Sequence, residues 1–387
     1  MSIPSLRCLQ LAKFYPPVNG GIETTVRDIA EGLTRQYWSV EILCSHTERN
    51  TVHESAAIPV TRVASWGLVA STSLSPSLIS RLFSRQSEQD VIHVHLPNPM
   101  ANLALFLTRP RAKVVVHWHS DIVKQKRLLK LYAPLQSWLL KRADAIIATS
   151  PPYAESSPWL QHYMSKVRFV PSCIRDPRDS VNLQECQQRA AAIRAAYKGK
   201  KIVFALGRMI YYKGFDVLLR AARHLDNNTV VLIGGKGELL DTLKADATAL
   251  GVSDKVHFLG RVTDDDLPGY YEAADVFCLP SLMRSEAFGL VMVEAMSYGK
   301  PVVATRIPGS GVTWVNMQDE TGLNAEPGDD ADLARALRTL LEDSVRAQAL
   351  GDAGRRRFEE NFTIDKMIDA ILAVYAEIGI KPASGRC

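Results

Sequence analysis

Strand-length apolar runs alternate with helical patterns along nearly the whole chain, and few architectures can use such an alternation. In the first half the strand candidates are 6–12, 39–44, 59–63, 91–95, 113–117, 144–148 and 167–170. Parallel strands need a crossover after each one, so this rhythm predicts βαβ units and a mostly parallel sheet. The segment IETTVRDIAEGLTRQ behind the first run sets Ile22, Val26, Ile29 and Leu33 on one face, which predicts a helix packed on that sheet. Pro171, Pro177 and a polar stretch then reset the pattern. A helix near 183–197 leads into KIVFALG and a second series of strands near 202–206, 229–233, 256–259, 275–279 and 301–304. The fold class is α/β, with two doubly wound units in tandem at 1–175 and 176–362. A last segment, 363–387, holds an amphipathic helix whose Ile364, Met367, Ile368, Ile371 and Leu372 form a stripe able to pack back on the first unit.

With 387 residues, 47% hydrophobic and 22% charged, the chain has the composition of an ordinary globular protein, which excludes disordered and fibrous classes. Cysteines at 8, 44, 173, 186, 278 and 387 never stand in a C-x-x-C spacing, so neither a zinc framework nor a disulfide framework is expected. Arg7 and Lys13 break the first apolar run, so no signal peptide is read. The uncharged stretch Val63 to Ser80 holds seven Ser or Thr with Gly67 and Pro76, and is read as a loop with a short helix. Charge is unevenly spread: residues 1–175 carry a net +9 and residues 176–387 a net −4. The excess centres on 109–142, with nine Lys or Arg against one acid, Asp121.

Four constellations carry chemistry. Gly20 and Gly21 precede the first helix in FYPPVNGGIE, where they either let an anion approach its N-terminus or make a plain turn of positive φ. Arg208 and Lys213, in GRMIYYKG behind the first strand of the second half, suit a diphosphate, or are two solvated cations. Glu286 and Glu294, in SEAFGLVMVEAMSYGKPVVAT, suit a vicinal diol, or favour a helix N-terminus through its dipole. VVVHWHSD brings His119 and Asp121 to a strand end, where either could touch a reacting centre. His93 and His95 alternate to one face of another strand, yet no third ligand of suitable spacing follows them, so no metal site is expected. The run Asp264, Asp265 and Asp266 behind Thr263 reads as a capping box and not as a metal site.

Together these blocks resemble the retaining, metal-independent glycosyltransferases of family four, whose GT-B fold has two facing Rossmann-like domains with a cleft between them. The resemblance runs over most of the chain and is carried by GRMIYYKGFDVLL, VHFLGRVTDDDLPGYYEAADVFCLPS and SEAFGLVMVEAMSYGKPVVAT, with NGGIE from the first half. It implies that Arg208 and Lys213 hold the diphosphate of a nucleotide-sugar donor, that Glu286 meets donor-sugar hydroxyls and Glu294 the ribose, and that His119 stands beside the reacting sugar. It further implies donor contacts at Gly20, Gly21, Arg261, Ala287, Phe288, Gly289 and Leu290, with no cofactor and no metal. One block departs from the usual pattern: RIPGSGVTWVN follows PVVAT where a glycine pair and a Pro-Glu are common. This variant is similar to that of bacterial mannosyl- and rhamnosyltransferases of polysaccharide assembly. It points to GDP-mannose or a GDP-6-deoxy sugar, with UDP-hexose as the alternative.

The expected reaction is transfer to a saccharide or lipid-diphosphate-linked acceptor in O-antigen or exopolysaccharide synthesis, with cations replacing a metal at the leaving group. A cytoplasmic location is expected, with Lys124, Lys126, Arg127 and Lys130 offering a seat on an anionic membrane surface. Nucleic acid is not an expected partner. A sugar-nucleotide epimerase of the same architecture remains an alternative. A nicotinamide dehydrogenase would need G-x-G-x-x-G after the first strand, which is absent, and a non-catalytic subunit would be expected to have lost Arg208, Lys213 or Glu286.

Overall fold

The computed structural model describes residues 6–18, 20–122, 126–179 and 182–381, with 126–128 described by their backbone alone. The chain divides into two compact units: Met1–Ser172 with Ile364–Cys387, and Cys173–Thr363. The boundary falls at Ser172 and not at 175, because Ile174 pairs with Thr363 and the Asp176 carboxylate binds Arg355, which ties 173–176 to the second unit.

The first unit contains β1 (Arg7–Leu11), α1 (Gly21–Arg35), β2 (Ser39–Ser45), β3 (Val52–Glu54), β4 (Val60–Val63), β5 (Leu68–Val69), β6 (Thr72–Ser73) and α2 (Ser77–Arg85). It continues through β7 (Val91–Leu96), α3 (Pro99–Thr108), β8 (Lys113–Trp118), α4 (Lys126–Arg142), β9 (Ala145–Ala148), α5 (Pro151–Glu155) and β10 (Val167–Phe169). Its main sheet has the order β10-β9-β8-β7-β1-β2-β4-β3, parallel except for β3 at the edge. Every position of β7 is buried, as a central parallel strand with both faces covered requires. The stretch 63–80 holds more than a loop: β5 and β6 form a hairpin whose two turn residues, Ala70 and Ser71, both have positive φ. Turns of that kind are signalled by Asn or Gly, so Ala-Ser conceals it.

The second unit holds α6 (Leu183–Ala196), β11 (Lys201–Leu206), α7 (Phe215–Ala222), β12 (Thr229–Gly234), α8 (Leu240–Ala249), β13 (Val256–Gly260), α9 (Leu267–Ala273) and β14 (Val276–Leu279). Then follow α10 (Leu290–Ser297), β15 (Val302–Thr305), α11 (Val312–Val315), β16 (Gly322–Ala325), α12 (Asp330–Glu342) and α13 (Ser344–Asn361). The sheet order is β13-β12-β11-β14-β15-β16, all parallel. Counting strands within the unit, this is the 3-2-1-4-5-6 order of doubly wound sheets, and β4-β2-β1-β7-β8-β9 repeats it in the first unit. In such a sheet the crossovers leave β11 and β14, or β1 and β7, toward opposite faces, and the loops behind them leave a crevice.

The last helix, α14 (Ile364–Glu377), belongs to the first unit and packs on α1. Gly32 lies in the middle of α1 because any Cβ there would overlap the Ile368 side chain. The buried face of α14 is Ile364, Met367, Ile368, Ile371, Val374 and Tyr375, while Leu372 is only partly covered. Ile371→Ala should therefore cost about 2–5 kcal/mol, the usual range for emptying a closed core site, and Leu372→Ala less than half of that. The urea midpoint of each variant measures this; equal losses would place the stripe where the sequence pattern alone put it.

Candidate functional site

The loops behind β11, β12 and β14 interlock through glycines at the crevice of the second sheet. Gly214 has φ +67 and ends the short turn that carries Lys213; a Cβ there would overlap the Pro280 carbonyl oxygen behind β14. Gly235, with φ +133, and Gly237 likewise bring the loop behind β12 against the backbone of Gly207 and Met209. Leu282 N–H donates to Tyr212 C=O at 2.8 Å, and Met209 N–H to Lys236 C=O at 2.9 Å. The Gly234–Gly237 run and the exposed Lys236 at this edge escaped the sequence reading, although two glycines behind a strand were the available signal.

Lys213 and Glu286 meet in this crevice. The Lys213 ammonium donates to Glu286 Oε2 at 2.6 Å, and the two side chains are only 12% and 11% exposed. Ser281 Oγ donates to the same oxygen at 2.9 Å. The RIPGSG segment braces the backbone behind it: Ser310 Oγ donates to Glu286 C=O, Gly311 N–H to Ala287 C=O at 2.9 Å, and Arg284 Nε to Gly309 C=O at 2.9 Å. Sequence reasoning missed Ser281, Ser310 and Thr305, whose Oγ1 donates to Ser281 C=O, since isolated hydroxyls carry no spacing signal. Lys213 is thus no solvated loop cation. Arg208 is exposed, and its guanidinium has no hydrogen-bond or ion-pair partner among the described residues.

Gly289, with φ +78, turns the chain into α10, and Leu290 opens that helix. One turn on, Glu294 Oε2 accepts from the Tyr271 hydroxyl at 2.6 Å. Desolvation pushes the Glu294 carboxyl above its ordinary range, against the pull of the Tyr271 hydroxyl and the Lys213 charge. Phe288 turns away from the crevice into a cluster with Trp314 and Phe362, so only its backbone remains for a ligand. Arg261 is exposed behind β13. Asp266 is bound to Arg189 and accepts from Thr263 Oγ1 at 2.7 Å, while its N–H donates back to Thr263 Oγ1. The acidic run is a turn ahead of α9, with Asp266 already neutralised.

In the first unit Gly20 is extended at φ 178 and Gly21 opens α1, so neither glycine supplies a positive φ. A Cβ at Gly20 would meet only the tip of the Glu23 side chain, which can move aside. Asn19 of the NGGIE block lies outside the described residues. Asp121 Oδ1 accepts from Trp118 Nε1 at 2.9 Å and Ser157 Oγ at 2.8 Å, which makes it a brace for the end of β8.

The third imidazole that sequence spacing failed to provide comes from the neighbouring strand. Parallel register sets His95 beside His117, and His93, His95 and His117 present ring nitrogens within 4.8 Å of one another. Both nitrogens of His93 and of His95 are already hydrogen-bonded: His93 to Tyr375 at 2.6 Å and His117 at 3.2 Å, His95 to His119 at 3.0 Å and Gln10 at 2.7 Å. A cation would have to break these bonds. Burial lowers all four imidazoles, His93 and His119 to about 3, with their mutual repulsion adding to the effect on His93, His95 and His117.

Two family models match the chain, Glycosyl transferase 4-like domain over residues 20–173 and Glycosyl transferases group 1 over residues 187–357. The O-antigen chain mannosyltransferase C of Escherichia coli is 32% identical over 96% of this chain and 99% of its own. The D-rhamnosyltransferase WbpZ of Pseudomonas aeruginosa is 36% identical over 76% of this chain and 75% of its own. Among solved structures, Anabaena Alr3699/HepE in complex with UDP superposes with a TM-score of 0.78 at 20% identity, over 96% of this chain and 100% of its own, which is a likeness of fold.

Removing the ammonium from a pair this buried strands the carboxylate. Lys213→Ala should lose about 3 kcal/mol of stability, most of it recovered in Lys213→Ala/Glu286→Gln, while Arg208→Ala melts as the wild type does. Equal melting temperatures for both single variants would show the pair to be screened. The histidine group predicts acid sensitivity. The unfolded chain takes up protons near pH 6.5 that folded His93 and His119 refuse until about pH 3, and that His95 and His117 likewise refuse well below 6.5, so stability falls as pH is lowered through 6.5. Melting temperature followed from pH 7.5 to 4.5 checks this, and His93→Gln should flatten the slope.

Proposed function

The chain belongs to the group 1 glycosyl transferases, with the GT-B fold, and within that family we propose that it transfers a mannose or 6-deoxyhexose from a GDP-sugar to a lipid-linked or saccharide acceptor of a bacterial surface polysaccharide. The buried Lys213–Glu286 pair at the second unit's switch point carries the reading. An ammonium has three hydrogens, so Lys213 can keep its bond to Glu286 and still donate to a phosphate oxygen. Glu286, fixed by Lys213 and Ser281, offers its other oxygen to a sugar hydroxyl. The unpaired Arg208 at the same edge is free to fork onto a diphosphate. Support for the sugar comes from the two relatives, one named a mannosyltransferase and the other a D-rhamnosyltransferase.

As the anomeric C–O bond lengthens, negative charge grows on the departing nucleoside diphosphate. Arg208, Lys213 and the N–H groups opening α7 and α10 stabilise it without a metal. The acceptor hydroxyl attacks from the leaving group's side, its proton passes to the departing phosphate, and the configuration is retained. His119 is the first unit's candidate for a contact with a saccharide hydroxyl.

A panel of GDP- and UDP-sugars, scored for transfer and for slow donor hydrolysis, tests the donor, and UDP-glucose turnover alone would overturn the GDP assignment. Arg208→Ala should lower transfer by about 3–4 kcal/mol, several hundredfold, and activity should persist in excess EDTA. Loss in EDTA restored by magnesium would place a metal at the leaving group.

For the acceptor we favour a lipid-linked one at an anionic surface. Supporting observations are the +9 charge of residues 1–175, the exposed Lys130 and Leu131 of α4, and the exposed Trp66, Leu68 and Val69 at the hairpin. Hairpin and helix share an apolar cavity of about 230 Å³ lined by Val69, Leu74, Pro99, Ile122, Leu129 and Tyr132. Lys124 lies outside the described residues, as do the side chains of Lys126, Arg127 and Leu128. No described helix is long and apolar enough to cross a membrane, so the contact would be peripheral. The protein should sediment with anionic but not neutral liposomes, more weakly as salt rises. Changing Lys124, Lys126, Arg127 and Lys130 to Ser should weaken it further; wild type that ignores anionic liposomes at low salt would favour a soluble acceptor.

A further inference from the structure

The four buried histidines form two hydrogen-bonded rungs across β7 and β8. One runs from Tyr375 OH to His93 Nδ1 and from His93 Nε2 to His117 Nδ1; the other from Gln10 Oε1 to His95 Nε2 and from His95 Nδ1 to His119 Nε2. The rungs stack, with ring centroids 4.8 Å apart for His93 on His95 and 4.2 Å for His117 on His119. They differ in what ends them. A phenol hydroxyl donates or accepts, so the first rung can run in either direction.

The second rung cannot. Gln10 turns its Nε2 to Cys8 Sγ, at 3.2 Å, and its Oε1 to His95. A carbonyl oxygen only accepts, so His95 must carry its proton on Nε2. Burial keeps His95 neutral, so its Nδ1 is bare and accepts from His119. The proton of His119 is then on Nε2, and its Nδ1 is left with a lone pair and no hydrogen-bond partner among the described residues. His119 follows the last residue of β8 and, at 9%, is the most exposed of the four residues. We propose that Gln10 and His95 are positioning residues that hold His119 in the tautomer with a bare Nδ1, so that this ring accepts a hydrogen bond from a saccharide hydroxyl. The inference rests on the glycosyl-transfer reading above and adds two residues to it. With the opposite tautomer, His119 would present an N–H and would need an acceptor instead.

The test uses full-length protein with 15N-labelled histidine, the His119 signals being identified by their loss in His119→Ala. The expected wild-type result is a pyridine-type nitrogen at Nδ1 and a pyrrole-type nitrogen at Nε2. Gln10→Leu should mix the tautomers and lower the transfer rate roughly tenfold, the size of one neutral hydrogen bond, with donor KM little changed. Gln10→Glu, acceptor-only while its carboxyl is ionised, should restore both the signal and the rate at a pH above that titration. A protonated Nδ1 in the wild type, or an unaltered tautomer in a folded Gln10→Leu, overturns the relay. A normal transfer rate in His119→Ala, with the wild-type tautomer as expected, instead overturns the placing of His119 at the sugar.

Discussion

Parallel pairing forbids tight hairpins, so the parallel strands of the two main sheets are joined through crossovers, and that constraint decides where chemistry can sit. Starting from β11, the crossover to β12 and the later return to β14 lie on opposite faces of the sheet. The loops behind β11, β12 and β14 line the edge between them. The glycines at 214, 235 and 237 let those loops interlock backbone to backbone, and so the polar side chains of Lys213 and Glu286 are held by main chain rather than by a flexible surface.

That rigidity gives the buried ion pair its sense. A well-packed apolar pair would serve stability as well or better, because the desolvation of two charges offsets most of their attraction. Yet Lys213 keeps unused hydrogens and Glu286 an unused oxygen, and both are ringed by groups that fix them: Ser281 on the carboxylate, and the RIPGSG segment on the backbone of Glu286 and Ala287. The segment that departs from the commoner family pattern is thus the one that braces the backbone carrying the Glu286 carboxylate.

How much of this was legible depended on whether a feature is local. The strands at 39–44, 91–95, 113–117 and 229–233 were readable because a parallel strand covered on both faces is a short run rich in apolar, β-branched residues, and they match the observed elements to within a residue or so. The β5–β6 hairpin and β16 were not, since Ala-Ser makes an inconspicuous turn and GLNA is short and polar, its Asn324 satisfied by Asn316 from outside the strand. Arg208, Lys213, Glu286 and Glu294 could be named from their blocks. That Lys213 and Glu286 bind one another, 73 residues apart in sequence, could not. The histidines show the same limit: their alternation along β7 was visible, but the partners that complete each rung come from β1, β8 and α14, and only strand order brings these together.

The histidine rungs are also where the chain breaks its own rule most openly. Central parallel strands are apolar on both faces, yet one face of β1, β7 and β8 carries Cys8, Gln10, His93, His95 and His117, all buried, with Tyr375 over them. Each such group costs free energy unless its hydrogen bonds are met, and here they are met almost entirely by one another. A network of that kind contributes little that Val and Leu would not contribute better, so its presence at the edge where the first sheet reverses its order calls for a reason other than stability. What it offers is direction: a neutral ring whose donor and acceptor sides are decided several ångströms away, by an amide that water does not reach. The same fold therefore prepares its two units differently, one with a buried ion pair at the crevice of its sheet, which the proposed reaction would set against a leaving group, and one with uncharged, oriented hydrogen bonds.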